Sequence, residues 1–212
     1  MTGLTHEGLF LCLADILPEY LDREFSGRRD LCILATRIAV YVGEYYGLEV
    51  RPQACRVLLA NEQAAAHFDE AEKAGLTWRD VDIRELFKVD GSHTVGIGFE
   101  TPTAKWAGHL IATGGGYFAD FTIGQGERLN KGIVTGRWIA GKLAPYVMAR
   151  NAEGTQARYW MFDDKGYRQA PDWKDYRTSR HAGSVIRRVR AALDSLDQER
   201  EAIHEMIHEK IG

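Results

Sequence analysis

The chain has 212 residues, 45% of them hydrophobic, and a formal net charge of −3 at pH 7. This composition suits a single compact domain and gives no reason to expect nucleic acid or an anionic membrane surface as a partner. No run of about 18 apolar residues occurs, which excludes a typical membrane-spanning helix. The first residues lack a basic segment, so we expect no secretory signal. Three cysteines do not suggest a disulfide framework, and we expect a cytoplasmic protein.

Two helices are predicted near the start of the chain. Apolar residues at helical spacing predict a helix over residues 6–25, with a break where Pro18 begins a new turn. A second, strongly apolar helix is predicted over 31–46, with Asp30 as its N-cap and Gly47 just after its end. Apolar side chains lie nearly all round this second helix, so we expect it to be central and buried.

The next part of the chain combines strand and helix patterns. Residues 48–60 are typical of a strand, and 62–74 of a helix that Asn61 caps and Gly75 ends. A short helical piece is predicted between residues 77 and 87.

Strand patterns dominate from residue 93 onward. Segments 106–113 and 117–123 flank the triple glycine at 114–116, which predicts a hairpin because glycine adopts positive φ at little cost. Residues 159–162 indicate a later strand.

The last part of the chain predicts one long amphipathic helix over residues 183–210. The preceding glycine-rich segment, 124–155, gives no clear pattern. We therefore divide the chain into an α+β domain at 1–182 and a C-terminal helix at 183–212, which either packs on the domain or joins two copies into a homodimer.

A cysteine near the start of the second predicted helix is the first candidate for chemistry. Cys32 falls at about the second helical position, where unpaired N–H groups and the helix dipole favour a thiolate. Arg28 and Arg29 add positive charge nearby, while Asp30 opposes it. The alternative interpretation is a small, buried and inert side chain, which is common for cysteine.

A histidine and an aspartate on the predicted hairpin are the second and third candidates. Pairing centred on Gly115 sets His109 opposite Phe121 and Asp120 opposite Leu110, whereas a one-residue bulge would set His109 opposite Asp120. The two side chains are therefore within plausible hydrogen-bonding reach. A carboxylate in an apolar strand is costly unless it has a partner, and here it would hold the imidazole tautomer.

The chain has a cysteine at the start of a helix, then a histidine on a strand, and then an aspartate on the next strand. This order resembles that of the transglutaminase-like branch of the papain-like superfamily, which also includes the arylamine N-acetyltransferases. Residues 32–37 and 108–111 also look like an uncharacterised bacterial group of this superfamily. The resemblance covers about residues 28–125. It implies an α+β fold in which N-terminal helices pack on an antiparallel sheet.

The resemblance implies a cysteine protease, hydrolase or acyltransferase with Cys32, His109 and Asp120 as its catalytic triad. Cys32 would form a thioester with a peptide, amide or acyl substrate, and water or an amine would resolve it, with no cofactor. The Cys32 N–H is the first candidate oxyanion donor, and Gln53 or Gln125 is a possible second one. Trp106 could wall a substrate-binding acyl site.

Three alternative functions come from other classes. His204, Glu205 and His208 spell H-E-x-x-H, the helical motif of zinc-dependent hydrolases, although charged neighbours and the lack of a third ligand downstream favour a solvated helix face. A second alternative keeps the fold only to bind a partner through the terminal helix. A third is an N-acetyltransferase that uses an acyl-coenzyme A donor.

Overall fold

The computed structural model describes residues 4–26, 28, 31–75, 90–98 and 108–211, except for the side chains of residues 128 and 197–211. Within these residues the helices are α1 (His6–Glu24), α2 (Cys32–Tyr45), α3 (Glu62–Lys73), α4 (Gly126–Leu129), α5 (Pro171–Lys174) and α6 (Thr178–Ile211). The strands are β1 (Arg51–Ala60), β2 (Thr94–Ile97), β3 (His109–Gly114), β4 (Tyr117–Asp120), β5 (Ile139–Lys142), β6 (Tyr146–Arg150) and β7 (Gln156–Phe162).

These strands form one antiparallel sheet in the order β5–β4–β3–β1–β7–β6, and β2 also pairs with β1. Residues 51–55 of β1 pair with β3 and residues 57–60 with β2, while β7 runs along the other edge of β1. The sheet curves strongly, because Tyr159 on β7 reaches Asp120 on β4 although β3 and β1 lie between them. The fold is thus α+β, as predicted, and its sheet is nearly closed into a barrel.

The two faces of the curved sheet are covered differently. Helices α1 and α2 pack on the outer face, where Ala112 and Ala119 join their core, and α3 packs there through Phe68 and Leu58. The inner face holds a separate apolar cluster that includes Tyr159. Because successive strand residues alternate between faces, the register of each strand decides which side chains meet inside the barrel.

Pro18 does not break the first helix, contrary to the prediction. α1 continues through it from His6 to Glu24, and Pro18 itself is buried. A proline inside a helix costs about 3 kcal/mol, since it removes one main-chain hydrogen bond. The fully buried Leu13 and Leu17 before it and Leu21 after it belong to one core, and their packing outweighs this cost.

Several predicted helix ends are confirmed. The Asn61 side chain accepts a hydrogen bond of 3.1 Å from the Ala64 N–H and caps α3. Gly47 and Gly75 both adopt positive φ just beyond the ends of α2 and α3. The predicted N-cap Asp30 lies outside the described residues, and α2 is preceded by Leu31, which makes no side-chain cap.

The terminal helix begins at Thr178, earlier than predicted, and its described part packs on α1 and α2. Ala182, Val185 and Val189 supply its buried side. In the described part of the chain, no helix combines the length and the apolar character needed to cross a bilayer. The short helical piece predicted between residues 77 and 87 lies outside the described residues.

Candidate active site

Cys32 is the first residue of α2 rather than the second. Its main-chain N–H belongs to the first helical turn, where N–H groups have no partner within the helix, and that turn carries no acidic residue. The thiol is partly exposed, whereas the Cys55 thiol is fully buried. The Thr36 hydroxyl donates to the Leu110 carbonyl at 3.1 Å and fixes α2 against β3.

His109 and Asp120 lie close together, although neither predicted register is correct. The turn is Gly115–Gly116, both with positive φ, so Ala112 faces Ala119. His109 and Asp120 then lie on the same face of neighbouring strands as a diagonal pair, which long side chains can bridge. Nε2 of His109 lies 2.7 Å from Oδ2 of Asp120. The predicted bulge is not needed. Asp120 lies two residues from the position that faces His109, so both side chains point into the barrel.

The Asp120 carboxylate has four hydrogen-bonding contacts. Oδ2 meets the His109 ring and accepts from the Tyr159 hydroxyl at 3.1 Å, while Oδ1 accepts from the Thr122 main-chain N–H at 2.9 Å and from its hydroxyl at 3.1 Å. Burial alone would raise the pKa of Asp120, but the charge and hydrogen bond of His109, aided by Thr122 and Tyr159, hold it below its usual value. This carboxyl group is therefore ionised at neutral pH.

The His109 ring is 4% exposed, yet it is held in its protonated form. Burial lowers its pKa, but the charge and hydrogen bond of Asp120, together with the Cys32 thiol, raise the pKa to about 10. Tyr159 is also buried, and this burial raises its pKa well above the usual value, so its hydroxyl remains a donor. A buried imidazolium–carboxylate pair thus lies beside the thiol.

Cys32 and His109 are close enough for the thiol to affect the pKa of the ring. Since Nε2 faces Asp120, the nitrogen left for the thiol is Nδ1. When the Cys32 proton is the one held on Nδ1, the two groups form a thiolate–imidazolium pair, in which the far nitrogen is held by a carboxylate. This is the arrangement of an activated cysteine nucleophile.

A cavity of about 420 Å³ lies near these groups, although Cys32, His109 and Asp120 are not among the residues that line it. Leu31, the neighbour of Cys32, and Thr122, the partner of Asp120, both contribute to its wall. Its volume is within the range of small-molecule sites, about 300–1,000 Å³. The site thus has a thiol, a base and an adjacent space for part of a substrate.

The two glutamines considered as oxyanion donors have different surroundings. Nε2 of Gln53 donates to the carbonyls of Ala54 and Phe162, both at 2.9 Å, so both of its N–H groups are in use. Gln125 lines the cavity, and its side chain makes no hydrogen bond with another described residue. Of the two, only Gln125 keeps an uncommitted amide.

Aromatic side chains pack in the same cluster as Cys32. Cys32 packs in the same cluster as Tyr167, Phe162 and Trp173, and the rings of Tyr167 and Trp173 meet edge to face with centroids 4.8 Å apart. The predicted wall residue, Trp106, lies outside the described residues. Sequence reasoning therefore missed Trp173, since nothing in the local pattern links α5 to α2.

Sequence reasoning also missed Thr122 and Tyr159. Thr122 follows Asp120 by two residues, a spacing typical of a carboxylate that accepts from a following N–H, so this signal was present. Tyr159 is 39 residues from Asp120, and only the curvature of the sheet brings them together.

The alternative zinc motif lies in a part of the chain whose side chains the structure does not describe. His204, Glu205 and His208 lie on the part of α6 whose side chains are not described, and their zinc site stays a prediction. Among the described side chains, no group of three histidine, cysteine, aspartate or glutamate residues is arranged to hold a metal ion.

The arrangement can support attack by sulfur on an acyl carbon, with proton exchange through His109. No protein-family model, curated protein or solved structure matches this chain.

Proposed function

We propose that this chain is a cysteine-dependent hydrolase or acyltransferase with a papain-like, transglutaminase-like fold, acting on an amide, thioester or isopeptide bond. The observation that carries the proposal is the buried His109–Asp120 hydrogen bond of 2.7 Å next to the partly exposed Cys32 thiol. A merely structural histidine would need one partner, whereas this ring has an acid on one side and a thiol on the other.

The acylation step uses each of these groups once. In the starting state the Cys32 proton is already on Nδ1 of His109; the thiolate attacks the acyl carbon while the carbonyl electron pair moves onto oxygen. The Cys32 main-chain N–H, with Gln125 as the candidate second donor, stabilises that oxyanion. When the carbonyl re-forms, the bond to the leaving amine or thiol breaks and the leaving group takes the Nδ1 proton.

The deacylation step reverses these roles. Water or an amine enters, Nδ1 of His109 takes a proton from it, and the new bond to the acyl carbon displaces Cys32 as the thiolate, which restores the thiolate–imidazolium pair. Asp120 stabilises the imidazolium in both steps and keeps the ring oriented through Nε2.

Labelling of the native protein with iodoacetamide tests the proposal. We expect Cys32 to react well ahead of Cys12 and Cys55, because burial raises the pKa of both of the other thiols. Mass spectrometry of peptides from one time course reports all three rates without any variant.

Two variants complete the labelling experiment. His109→Gln should slow labelling of Cys32, whereas Cys12→Ala on α1 should leave it unchanged. Labelling of Cys32 no faster than that of Cys12, or equal labelling in the His109→Gln protein, would show that the function is not the one proposed.

A further inference from the structure

The cavity lined by Leu31, the neighbour of Cys32, has a rim whose position is fixed by hydrogen bonds. The Thr135 N–H donates to Oε1 of Glu127 at 2.6 Å, and the Thr135 hydroxyl donates to the Ile123 carbonyl at 3.4 Å. A Cβ added to Gly124 would lie 3.3 Å from the Gly136 carbonyl and 3.4 Å from Cα of Arg137. The backbone at Arg137 is therefore packed closely against the backbone that follows Thr122.

The charged groups of this cavity differ in how they are used. Oε1 of Glu127 accepts from Thr135, and Asp22 makes an interaction of its own. Arg137 is exposed and has no hydrogen bond or ion pair with any other described residue. The guanidinium of Arg137 is thus the one uncommitted charge that the described lining offers to a ligand.

We propose that Arg137 forms an anion-recognition subsite, so that the preferred substrate carries a carboxylate or a similar anionic group on the part that fills this cavity. The inference rests on the proposed function, because it takes Cys32 as the nucleophile. A guanidinium binds a carboxylate through two parallel N–H···O contacts, which fixes orientation as well as charge. The Gln125 side chain lines the same cavity, has no hydrogen bond with another described residue, and is the candidate donor to the acyl oxygen.

Two alkylating reagents that differ in one group test this subsite. N-iodoacetyl-β-alanine carries a terminal carboxylate. The second reagent is the neutral analogue of the same length, in which a primary amide replaces that carboxylate. In both cases the Cys32 sulfur forms a bond to carbon and iodide leaves. The second-order rate of each at the Cys32 peptide gives a carboxylate-to-amide ratio, and the glycine and γ-aminobutyrate homologues vary the reach.

Arg137→Gln should lower that ratio about tenfold for at least one tether length, the factor that one hydrogen bond between charged groups supplies. The rate with the neutral amides should stay within about twofold, because no group of the thiol–imidazole pair has changed. Arg51→Gln is the matched control, since the Arg51 side chain is exposed and, among the described residues, its guanidinium bonds only Glu49. In that variant the ratio should equal that of the unaltered protein.

The outcomes separate the two proposals. A ratio that is the same in the Arg137→Gln protein at every tether length overturns the anion subsite while Cys32 remains a nucleophile. Failure of every reagent to label Cys32 in the unaltered protein overturns the proposed function, and the subsite with it.

Discussion

The two sides of the Cys32 thiol differ in how far their polar groups are already satisfied. Inside the barrel, His109, Asp120, Thr122 and Tyr159 bond one another and are 0–5% exposed. On the cavity side, the Arg137 guanidinium has no hydrogen bond or ion pair with another described residue. A closed network fixes geometry and protonation, while free donors can exchange water for a ligand at little cost. Under the proposed function, proton transfer would belong to the first side and substrate recognition to the second.

Removing the Asp120 charge from the hydrogen-bond network inside the barrel should have the largest effect on the catalytic rate. Asp120→Asn keeps the size of the side chain but removes the charge that holds the imidazolium, and we expect kcat to fall by about 10⁴-fold. The measurement is the hydrolysis rate of an activated thioester. Asp194→Asn, at an exposed site on α6, is the control and should retain the full rate. A loss of less than about tenfold would mean that Asp120 only supports the fold.

The same variant should change the pH dependence. Burial opposes protonation of His109, but Asp120 and Cys32 raise its pKa to about 10, so the imidazolium persists up to that pH and activity should fall above it. The stability that protonated His109 gives to the folded state is fully present below pH 6.5, the pKa of histidine in the unfolded chain. It is lost as the pH rises towards 10. In Asp120→Asn the alkaline limb should move to lower pH, and an unmoved limb would contradict this assignment.

Removing the Gln125 amide on the cavity side should have an intermediate effect on the catalytic rate. Gln125→Ala should lower kcat by about 10²-fold, the usual loss when one oxyanion donor is removed, with the thermal midpoint unchanged. Gln53→Ala should show the reverse pattern, because one of its two hydrogen bonds joins β1 to β7 and the other is to Ala54 on β1, so both hold the fold rather than a ligand. Thermal unfolding and thioester hydrolysis measured on both proteins give the test. Similar kcat losses in the two would remove Gln125 from the mechanism.

Removing one hydroxyl from the closed network should have the smallest effect. Tyr159→Phe deletes a single donor to Asp120 and should cost about 1 kcal/mol of unfolding free energy. Because this donor also lowers the pKa of Asp120, that pKa should rise slightly in the variant. Tyr146→Phe, whose hydroxyl meets Glu72 at an exposed site, is the matched control. Denaturant unfolding and NMR titration of the carboxyl group measure both effects, and identical values in the two variants would contradict the network.

The sequence predicts those features that depend on local patterns. The apolar helix opened by Cys32, the Asn61 cap and the glycine hairpin all follow from residues close together in the chain. The choice of His109 and Asp120 also needed only the position of that hairpin, since a carboxylate in an apolar strand requires a partner.

The remaining features depend on contacts that no local pattern records. The register between β3 and β4 places His109 and Asp120 as a diagonal pair. A shift of this register by one residue would place Asp120 on the outer face. Trp173, which packs in the cluster of Cys32, and Arg137, which lines the nearby cavity, come from segments whose own sequences are not strongly periodic. Pro18 continued a helix because core packing on both sides outweighed its local preference.

The place of β1 between strands from distant parts of the chain has a consequence during synthesis. Gln53 on β1 bonds Phe162 on β7, 109 residues later, and Tyr159 on the same late strand completes the surroundings of Asp120. Pairings of such long range form late in folding, because the entropy of closing the loop has to be overcome first. We expect a nascent chain that ends before β7 to leave the ribosome with its acid–base network unassembled. The reactive sulfur would then be activated only in molecules that have folded.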